Sequence, residues 1–184
     1  NIRIDYNEYD TEQTGIFTTS SEYLMLIQRA RVRGITPEKQ YNLKEHTQDL
    51  SVRDLKILDN ELKSYKKQYG LIDYNDMILD FIKSDASPKF DVVFIDEAQD
   101  LSRMQWDMAK TIWNKTADNY IAGDDDQAIF RWAGADVDRF IAQTGKFLKL
   151  TESHRVPRVV HDIAMGIVKR ISKRHHKEWA PRSK

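Results

Sequence analysis

Apolar positions in the first half of the chain recur at helical spacing. Between Ser51 and Tyr69, the residues Leu55, Leu58, Leu62, Tyr65 and Tyr69 fall at steps of 3, 4, 3 and 4. Such steps collect on one face of a helix. Lys56, Asp59, Lys63 and Lys66 lie off that stripe, which therefore reads as core packing. Ser51 stands where a cap belongs, and Gly70 where a helix stops. An earlier helix is expected to start near Thr18–Ser21, whose hydroxyls can cap free amides, and to run through Tyr23, Leu24, Ile27 and Ala30 to Gly34. Pro37 opens the next segment. A further helix is expected over Asp73–Lys83, with Tyr74, Met77, Ile78 and Phe81 inward. Residues 1–17 alternate briefly (Ile2, Ile4, Tyr6) and read as a loop or short strand. The first 86 residues thus read as a mostly helical subdomain.

The pattern changes after Ser87-Pro88. Phe90–Ile95 is a compact apolar run with two valines, as expected of a buried parallel strand. Leu101–Asn114 reads as a helix with Met104, Met108 and Ile112 on one face. Asn119–Ala122 reads as a second strand, stopped by Gly123. Asp136–Gln143 reads as a helix, Phe147–Leu150 as a third strand, and Pro157–Lys173 as a helix with proline near its first turn. Strand alternating with helix implies an α/β layer with a parallel sheet.

Hydrophobic residues make up 40% of the 184 and charged residues 32%, enough for a core under a well-solvated surface. There is no cysteine, which excludes disulfides, thiolate metal sites and cysteine nucleophiles. No apolar run approaches the roughly 20 residues of a membrane span, and no secretory signal is present. The expectation is a cytoplasmic protein with no membrane partner. Charge sums to zero but is unevenly spread. Residues 1–145 carry 18 Lys/Arg against 26 Asp/Glu, and residues 146–184 carry 11 against 3. The basic segment reads either as a holder of phosphates or anionic partners, or as a solvated helix surface.

Candidate chemistry centres on Val92-Val93-Phe94-Ile95-Asp96-Glu97. An apolar strand ending in two carboxylates puts them at the C-terminal edge of a sheet, where ligands bind in open α/β folds. One carboxylate can hold a divalent cation and the next can activate a water. Alone, the same residues also fit an acidic helix start. The neighbouring residues narrow the choice. Asp96-Glu97-Ala98-Gln99-Asp100 is followed by Gly123-Asp124-Asp125-Asp126-Gln127-Ala128-Ile129-Phe130-Arg131-Trp132-Ala133-Gly134-Ala135-Asp136, and then by Leu150-Thr151-Glu152-Ser153-His154-Arg155. In order and spacing these blocks resemble the second, third and fourth motifs of UvrD/Rep-like superfamily 1 DNA helicases. Asp73-Tyr74-Asn75-Asp76-Met77-Ile78 is similar to a short acidic stretch upstream of those motifs in the same family. The resemblance covers about residues 71–175 and fades over 1–70.

The resemblance implies a partial RecA-like P-loop NTPase sheet with an accessory helical subdomain. Residues 1–86 would be that subdomain, 87–150 the later half of the first RecA-like domain, and 151–184 the start of the second. It implies ATP and Mg²⁺ as cofactors and single-stranded or partially duplex DNA as partner. Asp96 would hold Mg²⁺ through water, Glu97 would be the general base, and Gln127 would sense the terminal phosphate. Arg155 would reach that phosphate as an arginine finger. Trp132 would stack on an unpaired base, with Arg131 beside it, and Phe130 reads as a stacking or a core residue. The three aspartates 124–126 are read as capping a turn rather than as metal ligands.

Three departures accompany the resemblance. His154 stands where the family commonly has a tyrosine stacked on adenine. Ala133 follows the tryptophan where the family commonly has arginine, with Arg131 on the other side. No glycine-rich phosphate-binding loop ending in Gly-Lys-Ser or Gly-Lys-Thr occurs in the 184 residues. The chain, opening at Asn1 in mid-pattern, is therefore expected to be a segment of a longer motor. By itself it is expected to hydrolyse no ATP, and either to self-associate through an open strand edge or to be partly disordered around residues 123–135. The alternative is a catalytically inactive helicase-like module that binds DNA or serves as a scaffold.

Overall fold

In the computed structural model residues 19–182 are described, so the loop or short strand expected over 1–17 lies outside them. Four helices open this part: α1 (Thr19–Arg33), α2 (Pro37–Asn42), α3 (Val52–Tyr69) and α4 (Tyr74–Ser84). Ser51 caps α3 by accepting the Asp54 amide, and Gly70 closes it by donating to the Lys66 carbonyl. Asp73 and Asp76 form a reciprocal capping box at the start of α4. The first core joins α1, α3 and the intervening loop through Leu26, Ile27, Leu50, Leu55 and Leu58, with Tyr23, Leu24, Tyr41 and Leu62 packed against them.

The stripe along α3 is buried only over its first half. Tyr65 and Tyr69 stay exposed, with ring centroids 4.7 Å apart. Asp59, off the stripe, is buried and held by Lys63 at 2.5 Å. In α4, Ile78 and Phe81 are partly covered as expected, but Tyr74 and Met77 are exposed, because only the face toward the next helix is packed.

The α/β part contains β1 (Val92–Ile95), α5 (Arg103–Trp113), β2 (Asp118–Ile121), α6 (Val137–Ile141) and α7 (Arg158–Val168). The two strands pair in parallel from Val92↔Asp118 to Ile95↔Ile121, with α5 as the crossover. Ala98, Met104, Trp106, Ala109 and Val137 are buried in this part. The inward face of α5 is therefore carried by Met104, Trp106 and Ala109, while Met108 and Ile112 are half-buried. Both α1 and α4 pack on α5, which fastens the helical part to the sheet part.

Two strand expectations need correction. β1 is parallel but not buried on both faces: Phe94 is 75% exposed, and it stacks on Tyr120 at 5.0 Å. Among the described residues nothing packs over that face. The expected strand Phe147–Leu150 is not formed, and Phe147, Leu148 and Leu150 are exposed, since no described strand lies beside it to accept its backbone. The apolar side of α7, with Val159, Ile163 and Ile167, is also exposed. No described helix is long and apolar enough to cross a membrane.

Polar links replace apolar ones where α1, α3 and α4 meet. Arg31 and Lys66 both bind Asp73 and Asp76, with Arg31–Asp73 at 2.6 Å and Lys66–Asp76 at 2.5 Å. Burial alone would raise the Asp73 carboxyl, but hydrogen bonds from Arg31, the Asp76 amide and Lys66 outweigh it and hold it well below the usual carboxylate range. Asp76 is lowered in the same way, by the Asp73 amide and Lys66 against burial. A carboxylate with a depressed folded pKa contributes stability above its unfolded pKa, near 4, that disappears as pH falls toward the folded value. Urea midpoints should thus stay level above about pH 5 and drop steadily below about pH 4. Arg31→Gln should shallow that acid limb; an unchanged slope would show that the network does not cause it.

Candidate functional site

β1 delivers Asp96 and Glu97 to the C-terminal edge of the sheet, both exposed. Glu97 adopts φ 50°, ψ 38°, a left-handed conformation uncommon outside glycine and recurrent at functional sites. It is locked on both sides. The Glu97 amide donates to Asp96 Oδ1 at 2.9 Å, and the next amide, Ala98, donates to the Ala122 carbonyl at 3.0 Å. The Glu97 carboxylate accepts from Gln99 Nε2 at 2.8 Å. Gln99 is only 1% exposed, and its Oε1 accepts the Asp124 amide at 2.9 Å. One buried side-chain amide therefore joins the carboxylate edge after β1 to the turn after β2. Gly123 leaves the room for it: a Cβ there would sit 2.5 Å from Gln99 Oε1 and 3.0 Å from the Phe140 ring.

Beyond Gly123 the chain carries three adjacent carboxylates, Asp124 as the cap of a short 3-10 turn, Asp125–Gln127, and the other two within it. Asp124 caps the turn by accepting the Asp126 amide, and its other oxygen accepts Gln127 Nε2 at 2.7 Å. Gln127 is thereby tied to the same residue that Gln99 grips. Three neighbouring negative charges, two of them nearly buried, need counter-charges. Arg174 supplies a two-pronged contact to Asp126 at 2.6 Å on each prong. Lys177 reaches Asp124 at 2.7 Å and also Asp125, whose other oxygen accepts the His175 amide at 2.6 Å. Burial alone would raise the Asp124 carboxyl, but hydrogen bonds from Lys177 and Gln127 hold it below its ordinary value. Burial disfavours the Lys177 ammonium, and the bonds to Asp124 and Asp125 more than restore it. The Asp126 contact raises Arg174. The turn-capping reading of the aspartates agrees with this geometry. Arg174 and Lys177 belong to neither expectation for the basic segment, since they lie beyond α7 and bind the chain's own carboxylates.

The next segment is a loop pinned at several points. The Asp136 amide donates to the Leu101 carbonyl at 2.8 Å, Ala135 bridges Ser102, and the Arg33 guanidinium donates to the Arg131 carbonyl at 3.3 Å. Gly134 has φ 107°, and a Cβ there would lie 2.8 Å from Val32 Cγ2, so only glycine fits both the turn and the approach of α1. Trp132 emerges 63% exposed and Phe130 44% exposed, so neither is a core residue of the described fold. The Arg131 side chain is about half exposed and lies 3.6 Å from Asp138.

Asp96, Glu97 and Gln127 are thus gathered at one edge through Gln99 and Asp124. His154 and Arg155 are not joined to them. Both are exposed in the segment before α7, with no side-chain hydrogen bond or ion pair among the described residues. The sequence reading assigned no role to Gln99 or Arg33, took Gly123 only as the stop of a strand, and gave none to Arg174 or Lys177 as aspartate partners. The opposite net charges of residues 1–145 and 146–184 were the one available sign of the last pairing.

A family model described as "UvrD/REP helicase N-terminal domain" matches residues 2–147. The chain is 28% identical over 133 residues to the ATP-dependent DNA helicase PcrA of Bacillus subtilis (strain 168), an alignment covering 65% of this chain and 18% of that protein. It is 27% identical over 111 residues to the ATP-dependent DNA helicase Rep of Buchnera aphidicola subsp. Acyrthosiphon pisum, covering 55% of this chain and 17% of that one. The RecBCD enzyme subunit RecB of the same organism is 25% identical over 155 residues, covering 78% of this chain and 13% of that one. The chain therefore spans less than a fifth of the length of these relatives.

The crowding at Gly123 is open to a direct check. Gly123→Ala should lower stability by about 1–3 kcal/mol through overpacking. With Gln99→Ala in the same chain, the double variant should lose clearly less than the sum of the two singles in urea denaturation. Strict additivity would mean that Gln99 does not occupy the space beside Gly123.

Proposed function

Because the chain belongs to the UvrD/REP helicase N-terminal domain family, we propose that it is a segment of a motor that couples Mg-ATP hydrolysis to movement on single-stranded DNA. The observation that carries this reading is the linked edge Glu97–Gln99–Asp124–Gln127 at the C-terminal ends of two parallel strands. It puts a carboxylate suited to proton abstraction and an amide suited to a phosphate within one bonded array. The names of the PcrA and Rep relatives point the same way.

Within this reading Asp96 holds the magnesium ion through water. The donor set fits: one Asp96 oxygen is taken by the Glu97 amide and the other has no partner among the described residues, and Mg²⁺ keeps most of its waters while using one or two carboxylates and the substrate phosphates. Bound there, Mg²⁺ supplies neutralisation of phosphate charge. Glu97 takes the proton of the attacking water, its orientation held by Gln99. Gln127 turns its amide from Asp124 toward the terminal phosphate when that phosphate is present. His154 stacks on the adenine, and Arg155 reaches the phosphate once the second lobe closes. Trp132 offers its exposed indole to an unpaired base, flanked by Phe130 and Arg131.

Residues 1–86 then form the accessory subdomain, 87–150 the later part of the first RecA-like lobe, and 151–184 the opening of the second. The remainder of the parent chain covers the bare faces around Phe94 and α7, and without it the segment is inactive and prone to self-association. In the full-length protein, Glu97→Gln should leave ATP binding nearly intact and reduce DNA-stimulated hydrolysis by roughly 10²–10⁴-fold, the usual contribution of a general base. Near-normal turnover in this variant would remove Glu97 from that role.

A further inference from the structure

Beside Trp132 lies a cleft of about 380 Å³ between the end of α1 and the 131–138 segment, lined by Arg33, Arg103, Arg131, Trp132, Glu45 and Asp138, among others. Its charges are mostly matched. Arg33 binds Glu45 at 2.6 Å, and Asp138 is met by Lys173 at 2.9 Å and more loosely by Arg131. Asp136, also on the wall, faces Arg139 at 3.4 Å. Arg103 alone among the lining guanidinium groups has no hydrogen bond or ion pair among the described residues. Its stem passes close to Gly34, where a Cβ would lie 3.4 Å from Arg103 Cδ. An exposed and unmatched guanidinium next to an exposed indole is a pairing suited to a nucleotide, with one group for the phosphate and one for the base.

We propose that Arg103 binds a backbone phosphate of single-stranded DNA in this cleft, next to the nucleotide whose base lies on Trp132. The proposal rests on the DNA-motor reading and adds a contact from the start of α5, outside the Trp132 loop. It also bears on Ala133. With alanine after the tryptophan, the cleft takes its phosphate-seeking arginine from a different element, 30 positions before Ala133.

A phosphate contact has a signature that packing lacks. Each one adds about 0.7 to the slope of log affinity against log salt for a single strand, so it is worth about 2.6-fold less affinity at 200 mM salt than at 50 mM. The test uses the full-length protein and labelled oligo-dT, oligo-dA and oligo-dC, read by fluorescence anisotropy across that salt range. Arg103→Gln should weaken binding to all three alike, and its deficit should shrink by about 2.6-fold from 50 to 200 mM. Arg103→Lys, which keeps the charge, should retain the salt slope. Trp132→Ala should weaken binding with its slope unchanged. If Arg103→Gln binds with unaltered affinity and slope, the proposal is overturned, while the Trp132 variant separately decides the stacking reading. A deficit in Arg103→Gln that does not vary with salt, or a Lys variant that loses the slope, also overturns it.

Discussion

Gln99 does what no charged or apolar residue could do at its position. It is buried, it donates to the Glu97 carboxylate, and it accepts an amide from a turn that bears three more carboxylates. A neutral amide provides a donor and an acceptor with no charge to desolvate. A charge at the same place would add to the acidic turn or require its own partner. Strand pairing brings Ile95 beside Ile121, and Gln99 continues that pairing beyond the strands through a side chain. The left-handed Glu97 and the crowded Gly123 both follow from this continuation. The first faces the amide donor, and the second makes space for the acceptor.

The acidic turn depends on a second constraint, the supply of cations from far along the chain. Arg174 and Lys177 come from 48 to 53 positions away and give the segment after α7 a fixed attachment to the turn that holds Gln127. The segment before α7, with His154 and Arg155 exposed on it, is fastened instead by backbone bonds: the Ser153 amide donates to the Ala180 carbonyl and the Arg182 amide to the Val156 carbonyl, both at 2.9 Å. At the other end of the site, α1 approaches Gly134 and grips the Arg131 carbonyl. The helical part thereby sets the position of the loop that presents Trp132.

The local rules carried much of the fold. Helix spacing with Ser51, Gly70, Asp73 and Gly34 as punctuation located three of the four early helices to within a few residues, because caps and periodicity are properties of neighbouring residues; α2, only six residues long, was marked by no more than Pro37. The β1–α5–β2 unit and the carboxylate edge were legible for the same reason, and the family motifs added the order of the blocks. What failed depended on partners. Val92 and Phe94 look like core residues by composition, yet a strand is buried on both faces only when layers lie on both sides. Phe147–Leu150 has strand composition but no described neighbour to pair with. The stripe on α3 continues past the helices that cover it. In the site, the roles of Gln99 and Lys177 come from contacts across 25 and 53 positions, and no spacing rule reaches that far.

The coupling through Gln99 can be read at one atom, the Asp124 amide hydrogen. In Gln99→Leu, side-chain volume is roughly kept while the acceptor is lost. Hydrogen exchange resolved by NMR should then show the Asp124 amide losing about tenfold or more of its protection, the equivalent of one hydrogen bond of ordinary net strength. The Ala122 amide, which donates to the Ile95 carbonyl at 2.8 Å, should keep its protection and serves as the internal reference. An Asp124 amide as protected in Gln99→Leu as in the unmodified chain would contradict the account.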